Sequence, residues 1–146
     1  MINKKSCVLA NFLMLVTTLL FYSQGFAFTN EPDGFKEIKW GTHISKLKNL
    51  KYIYSKGVIG DIKVYKMDND MRSFGGAEID KIEYEFYKER FVSVSLKVKD
   101  LYNFIKLKKY CFKEFGMGKE IVKELEQYYW IGKKVIVTLI SKHDIS

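Results

Sequence analysis

The chain has 146 residues, with 25 lysines and arginines against 17 aspartates and glutamates, 47% hydrophobic residues, one proline and two cysteines. This length fits one domain and leaves no room for two independent cores. The hydrophobic content excludes a disordered chain, the single proline excludes a proline-rich stalk, and the two cysteines exclude a disulfide-stapled scaffold.

Residues 1–27 have the pattern of a secretory signal peptide. A start with two lysines and no acid precedes an apolar run of 14 residues, Val8 to Phe21, and the small residues Gly25 and Ala27 precede the predicted cleavage site. At ~1.5 Å per residue the run is too short for a ~30 Å hydrocarbon layer. Cleavage removes two lysines and lowers the net charge from +8 to +6. We therefore expect an exported chain, periplasmic or extracellular, soluble after cleavage and without a transmembrane anchor.

The basic residues are almost all lysines, because Arg72 and Arg90 are the only arginines. Arginine makes the bidentate contacts to phosphates and base edges that lysine cannot make. Together with the export signal, this composition argues against a nucleic-acid partner.

The mature chain begins with a polar stretch, 28–34, that we expect to be a disordered lead. Residues 35–40 then predict a short strand, and Gly41 permits a sharp turn. Thr42 is a candidate N-cap for a short helix. Trp40 is expected to anchor that helix to the sheet. The predicted structural motif consists of Phe35, Ile38, Trp40, Gly41 and Thr42.

Apolar and polar residues alternate in the middle of the chain. Residues 62–67 predict a strand, and 68–70 predict a turn. Residues 82–87 and 92–98 predict an antiparallel hairpin, buried on one face, that closes through 88–90.

Asp100 is a candidate N-cap for a long helix that runs to Phe115 and ends at Gly116. A second hairpin follows, with strands at 125–131 and 134–141. Its last strand is apolar on both faces, which is typical of a central or doubly covered strand. The fold class predicted is α+β: one antiparallel sheet of hairpins with one long and one short helix packed on it in two layers, in a single domain spanning 35–146.

Residues that could carry chemistry are few. His43 and His143 have no nucleophile assembled beside them, and Cys111 falls on the apolar face of its helix, where a core role is expected. The acidic turn at 68–70 lacks the later positions of a calcium loop. We expect no catalytic set, no metal and no cofactor.

Two neighbouring glutamates are the paired carboxylates that could act in catalysis. Glu83 and Glu85 lie two apart on the polar face of a strand, a spacing that glycosidase carboxylates can have. Lys97 and Lys99 alternate on the partner strand, so cross-strand charge pairing explains the glutamates more simply. A carboxylate-only hydrolase is therefore a remote alternative.

Aromatic residues interleaved with lysine suggest a binding surface. Such surfaces suit sugars, anionic polymers or protein partners, although aromatics are also common in sheets for structural reasons. The candidate binding residues are Tyr52, Tyr54, Lys109, Tyr110, Tyr128 and Tyr129.

Residues 35–47 (FKEIKWGTHISKL) resemble the F-x-x-I-x-W-G-T motif of a group of small exported bacterial proteins of unknown function. The resemblance continues through 84–86, 115–116 and 129–130, and covers most of 35–141. Those relatives often have Asp-Gly at the hairpin tip, where this chain has Lys-Glu-Arg. A looser similarity, in architecture alone, is to envelope modules of the outer-membrane-assembly lipoprotein and β-lactamase-inhibitor-protein kind. The resemblance implies a fold, and no catalytic residues come with it.

The sequence therefore favours a non-enzymatic protein-interaction module of the bacterial envelope, with another envelope protein as its partner. The alternative is a binder of anionic cell-envelope polymer or lipid head groups through lysine and tyrosine. An interaction module predicts an exposed apolar patch whose binding resists salt. A polymer binder predicts an affinity that falls steeply with ionic strength.

Overall fold

The structure is a computed structural model that describes residues 28–58, 61–122 and 126–141. The predicted signal peptide, 1–27, and His143 lie outside the described residues. Within these ranges, one α-helix and a short 3-10 turn, Ile44–Lys46, accompany the strands. The elements are β1 (Gly34–Phe35), β2 (Ile38–Lys39), β3 (Leu50–Lys56), β4 (Ile62–Met67), β5 (Ser73–Phe74), β6 (Ala77–Tyr87), β7 (Arg90–Val98), α1 (Leu101–Phe115), β8 (Lys119–Val122), β9 (Gln127–Ile131) and β10 (Ile136–Ile140).

The strands form two main antiparallel sheets rather than the single sheet predicted. In the central sheet β4 lies between β3 and β6, while β5 and β7 both pair with β6. In the C-terminal sheet β9 lies between β8 and β10, and β1 pairs with β2 in a small hairpin of its own. The predicted α+β class is confirmed in its coarse form, as antiparallel sheets that the described part of the chain combines with one α-helix.

The short helix predicted after Thr42 is reduced to the three-residue 3-10 turn, and its N-cap is His43 rather than Thr42. The physical reason lies in the backbone of the preceding residues. Gly41 N–H donates to Phe91 O at 2.8 Å, and Phe91 N–H donates to Thr42 O at 2.9 Å. These residues therefore extend the central sheet instead of starting a helix. Gly41 has φ +79°, as its predicted turn requires.

The lead segment 28–34, predicted to be disordered, instead makes defined contacts. Thr29 N–H donates to Phe115 O at 3.1 Å, Gly34 belongs to β1, and the Glu31 carboxylate accepts hydrogen bonds from the loop before β10. The segment therefore joins the end of α1 to the C-terminal sheet.

Two hydrophobic core clusters hold the elements together, and they meet at Phe74, so they are not two independent cores. The central core lies between the β1–β2 hairpin and the central sheet, and the C-terminal core lies between α1 and the C-terminal sheet; Phe74 packs against both. The buried residues of the central core are Phe35, Ile82, Tyr84, Phe86 and Phe91. Those of the C-terminal core are Ala77, Phe104, Leu107, Cys111, Tyr128, Trp130 and Leu139.

The predicted β6–β7 hairpin is confirmed. Its two-residue turn consists of Lys88 and Glu89, with φ of +44° and +62°. These positive angles match the turn geometry that twists with the strands, and Asp-Gly adopts it at lower cost. The long helix is also confirmed, with the Asp100 side chain accepting from Asn103 N–H at 2.9 Å.

The last strand departs from its predicted position. Among the described strands β10 is paired only with β9 and is an edge strand, although its alternating residues are apolar on both faces. A sequence typical of a covered strand therefore lies at an open edge of the C-terminal sheet.

Candidate functional site: an apolar cleft between the two sheets

The residues predicted as an aromatic and lysine-rich surface do not come together. Tyr52 pairs with Tyr65 and Tyr54 pairs with Val64, so the β-bulge between them turns the two tyrosines to opposite faces of the central sheet. The Tyr52 ring packs edge-on against Tyr65, with centroids 5.7 Å apart.

The other predicted binding residues lie around α1 and β9. Tyr128 is buried, and Lys108 Nζ lies 4.5 Å from its ring centroid. The Tyr129 hydroxyl accepts from Gln127 Nε2. Lys109 is exposed, and Tyr110 packs edge-on against Phe74 at 5.1 Å. Of the six predicted residues, only Tyr110 lines the cleft described below.

Glu83 and Glu85 are both held by lysines other than those predicted. Glu85 is buried and accepts from Lys56 Nζ at 2.6 Å and from Ser95 Oγ at 3.1 Å. Glu83 lies 2.6 Å from Lys81 Nζ. Their predicted partners, Lys97 and Lys99, instead lie 3.9 Å from Asp80 and Glu78. Two carboxylates that are each neutralised by a lysine suit sheet stabilisation better than proton transfer.

Cys111 has the core position predicted for it. Burial raises the pKa of its thiol to about 11, so the thiol is protonated at neutral pH and a poor nucleophile. In the described ranges, no group of three or more His, Cys, Asp or Glu side chains could hold a metal ion. The two ring nitrogens of His43 are hydrogen-bonded to Ser45 Oγ and Glu89 Oε2.

A cleft of about 600 Å³ opens between the two sheets. Its walls come from β7, the β10 strand with the loop before it, one side of α1, and the β1–β2 region. This volume lies within the range of protein ligand sites, roughly 300–1,000 Å³. Most residues that line the cleft are apolar, and the lining includes Phe35, Trp40 and Gly41 of the predicted structural motif.

Trp40, predicted to anchor a short helix to the sheet, lines the cleft and packs on β7, while the predicted helix is reduced to the 3-10 turn Ile44–Lys46. Its ring stacks on Phe91 with centroids 4.9 Å apart, and its Nε1–H donates to Pro32 O at 3.0 Å. Because Phe91 is fully buried, the stacked pair fixes the first residues of β7.

The charged residues on the cleft walls are both lysines. Lys36 Nζ bonds to Asp70 and donates to the Tyr84 hydroxyl at 3.0 Å, so Asp70 already compensates its charge. Lys134 forms no salt bridge with any carboxylate of the described segments. No carboxylate of the described residues lines the cleft, and its polar side chains besides the lysines include Ser93, Tyr110, Thr138 and the Cys111 thiol.

Sequence reasoning missed the cleft because its walls are far apart in the chain. Residues 32–41 and 134–139 meet only through the fold. One signal was present: the last strand is apolar on both faces, which indicates that it is covered. The described residues supply only part of that cover.

The Glu31 carboxylate lies in a nest of backbone N–H groups at the rim of the cleft. It accepts from Lys133 N–H at 3.0 Å, Lys134 N–H at 2.5 Å and Val135 N–H at 2.8 Å. These hydrogen bonds favour the charged form, and the bond from Lys134 is the strongest cause of the lowered pKa of Glu31.

We expect Glu31→Gln to release the lead at neutral pH. Because the folded-state pKa of Glu31 is lowered, its contribution is present above the ordinary carboxyl pKa and is lost as pH falls through the folded value. Amide hydrogen exchange at 133–135 should therefore rise in the variant near pH 7. The difference from wild type should shrink in acid. Glu37→Gln, at an exposed glutamate in the β1–β2 turn, is the control and should leave both the exchange at 133–135 and its pH dependence unchanged. Equal exchange in Glu31→Gln and wild type would contradict the role of the nest.

The chain matches no protein-family model, no curated protein and no solved structure in the comparisons made. Within the described residues, none of the helical segments has the length and apolar character needed to cross a membrane.

Proposed function

We propose that this protein is an exported, non-enzymatic interaction module that holds an apolar segment of another envelope protein in the cleft. The observation that carries the proposal is the cleft itself, which has apolar walls from both sheets and is open to solvent. Export through a signal peptide at 1–27 and a periplasmic or extracellular location are parts of the same proposal, supported by the sequence pattern.

An exposed isoleucine in the lining of the cleft favours a binding site over a cavity with a purely structural role. Ile136 lines the cleft and is 66% exposed. An apolar side chain at the rim of an apolar cleft is typical of interaction sites.

The alternative function, binding of anionic polymer or lipid head groups, has less support. Tyr52 and Tyr54 lie on opposite faces of the central sheet, and Tyr128 is buried in the C-terminal core. A hydrolase with Glu83 and Glu85 as its carboxylates has the least support, since each glutamate is paired with a lysine.

The chain offers a matched pair of variants that tests the proposal. Ile136 and Ile131 are cross-strand partners with nearly equal exposure, 66% and 68%, and only Ile136 lines the cleft. We expect Ile136→Asp to abolish partner capture and Ile131→Asp to leave it intact, because a carboxylate in the cleft would lose its hydration on binding.

The measurement uses protein purified from cells that express the full chain, immobilised and exposed to a solubilised envelope extract of its own organism. Bound proteins are identified by mass spectrometry at about physiological salt and at several-fold higher salt. One protein that wild type and Ile131→Asp retain at high salt, and Ile136→Asp does not, is the expected result. Capture of many acidic species that all wash off with salt would favour the polymer alternative, since salt screens surface charge.

A further inference from the structure

We propose that the cleft binds its partner as an extended strand, inserted between the open edges of β7 and β10 and carrying a carboxylate near Lys134. This inference rests on the proposed function and specifies the conformation and charge of the bound segment.

The first argument concerns which residues line the cleft. Residues 92–94 and 134–139 line it consecutively. Because side chains of a strand alternate between its faces, a face would contribute every second residue. Consecutive lining residues mean that the strand edges, with their backbone N–H and C=O groups, are directed into the cleft.

The second argument concerns the pairing of those edges. Among the described residues, β10 pairs only with β9, and β7 pairs with β6 apart from an isolated antiparallel bridge between Arg90 and His43. Outside these ladders, the backbone bonds recorded for β7 within the described residues are made by Phe91, to Gly41 and Thr42. The rest of the β7 edge and the β10 edge therefore present donors and acceptors that an added strand can satisfy.

The third argument comes from the β10 sequence. Along this strand Val137 and Leu139 alternate with Ile136 and Ile140, so both faces are apolar. Strands of this composition are usually central in a sheet. An inserted strand, ~4.8 Å from each neighbour, would make β10 a central strand and join the two sheets.

Charge complementarity specifies the occupant further. Among the described residues, no carboxylate lines the cleft, and Asp70 compensates Lys36. The Glu31 carboxylate at the rim attracts Lys134 but forms no salt bridge with its ammonium group, which can therefore pair with a carboxylate of the bound segment. A mostly apolar peptide with an acidic residue or a free carboxyl terminus complements these walls.

The probe is a set of nine-residue peptides with free carboxyl termini, selected from a random library on the purified protein. Each selected peptide is then made in two forms, N-methylated at alternate amides of one parity or of the other. An inserted strand directs alternate N–H groups to β7 and to β10, so each form should bind about tenfold or more weakly, because it loses several hydrogen bonds.

Other results would overturn the inference. Weakening by only one parity would mean pairing with one edge, and tolerance of both would mean docking through side chains alone. Three results would assign the cleft to another occupant. In the first, no selected peptide loses its binding when Ile136→Asp replaces the wild-type protein. The other two are a lipid bound to the purified protein and a dimer that Ile136→Asp dissociates. Ile136→Asp could still abolish protein capture while both methylated forms of the peptide bind normally. That result would support the proposed interaction module and contradict strand insertion.

The charge is tested separately with a neighbouring pair of lysines. Lys134→Gln should weaken binding of the selected peptides several-fold, and Lys133→Gln, at an exposed lysine that does not line the cleft, should not. Equal effects of the two substitutions would contradict the placement of the carboxylate.

Discussion

Replacing Phe91 by alanine is expected to lower the free energy of unfolding by about 3–5 kcal/mol, the usual cost of truncating a fully buried aromatic residue. Phe91 is fully buried and lies between Trp40 and the central core. Its ring centroid is 5.6 Å from that of Phe86 and 6.1 Å from that of Tyr84. Alanine would leave a cavity in the central core and remove the ring on which Trp40 stacks.

Urea unfolding measures this effect as a lower midpoint with an unchanged slope. Val92→Ala, at the next residue and 46% exposed, is the control and should cost much less. A loss below about 1 kcal/mol for Phe91→Ala would be inconsistent with a well-packed central core.

In the C-terminal core, truncation of Trp130 should destabilise the fold about as much as truncation of Phe91 does in the central core. It is 3% exposed, and its Nε1–H donates to Gly116 O at 2.8 Å, which ties β9 to the end of α1. Its ring centroid lies 5.7 Å from that of Phe112. We expect Trp130→Ala to cost about 3–5 kcal/mol. Trp130→Phe, which keeps a ring and removes the donor, should cost about 1–3 kcal/mol.

Gly118 gives an independent check on Trp130. A Cβ at this position would lie 2.8 Å from two atoms of the indole six-membered ring. Gly118→Ala should therefore destabilise wild type by about 1–3 kcal/mol through overpacking. In the Trp130→Phe background the penalty should be smaller, because the bulkier indole is gone. Additive effects in this double-mutant cycle would contradict the close packing.

Strong local patterns allowed part of the fold to be predicted. The alternation in β6 and β7 and the Asp100 cap before α1 each agree with the structure. In these elements the period of the apolar residues and the local hydrogen bonds favour the same structure.

The missed elements lack such patterns or depend on distant residues. β3 (Leu50–Lys56) is exposed at all positions after its first, so alternation gives no signal. The helix predicted after Thr42 fails because Phe91, about fifty residues later, takes the backbone bonds of Gly41 and Thr42. Glu85 pairs with Lys56 rather than Lys99 because β4 brings β3 close to β6.

The candidate site could be predicted only in fragments. Trp40 and Gly41 were singled out as a folding motif, and the apolar character of the last strand was recognised, but nothing in the sequence shows that these segments line one cleft. The aromatic and lysine clusters were visible in the sequence, and the bulge in β3 and burial of Tyr128 separate them.

Site-specific photo-crosslinking in cells of its own organism tests the central claim, that the cleft holds a segment of another protein, most directly. A photoreactive residue replaces Thr138, an exposed residue of β10 that lines the cleft, and in a control replaces Ser55, an exposed residue of β3 that does not. The account predicts one protein adduct from position 138 that is absent from position 55. No protein adduct from position 138, or the same adduct from both positions, would contradict it.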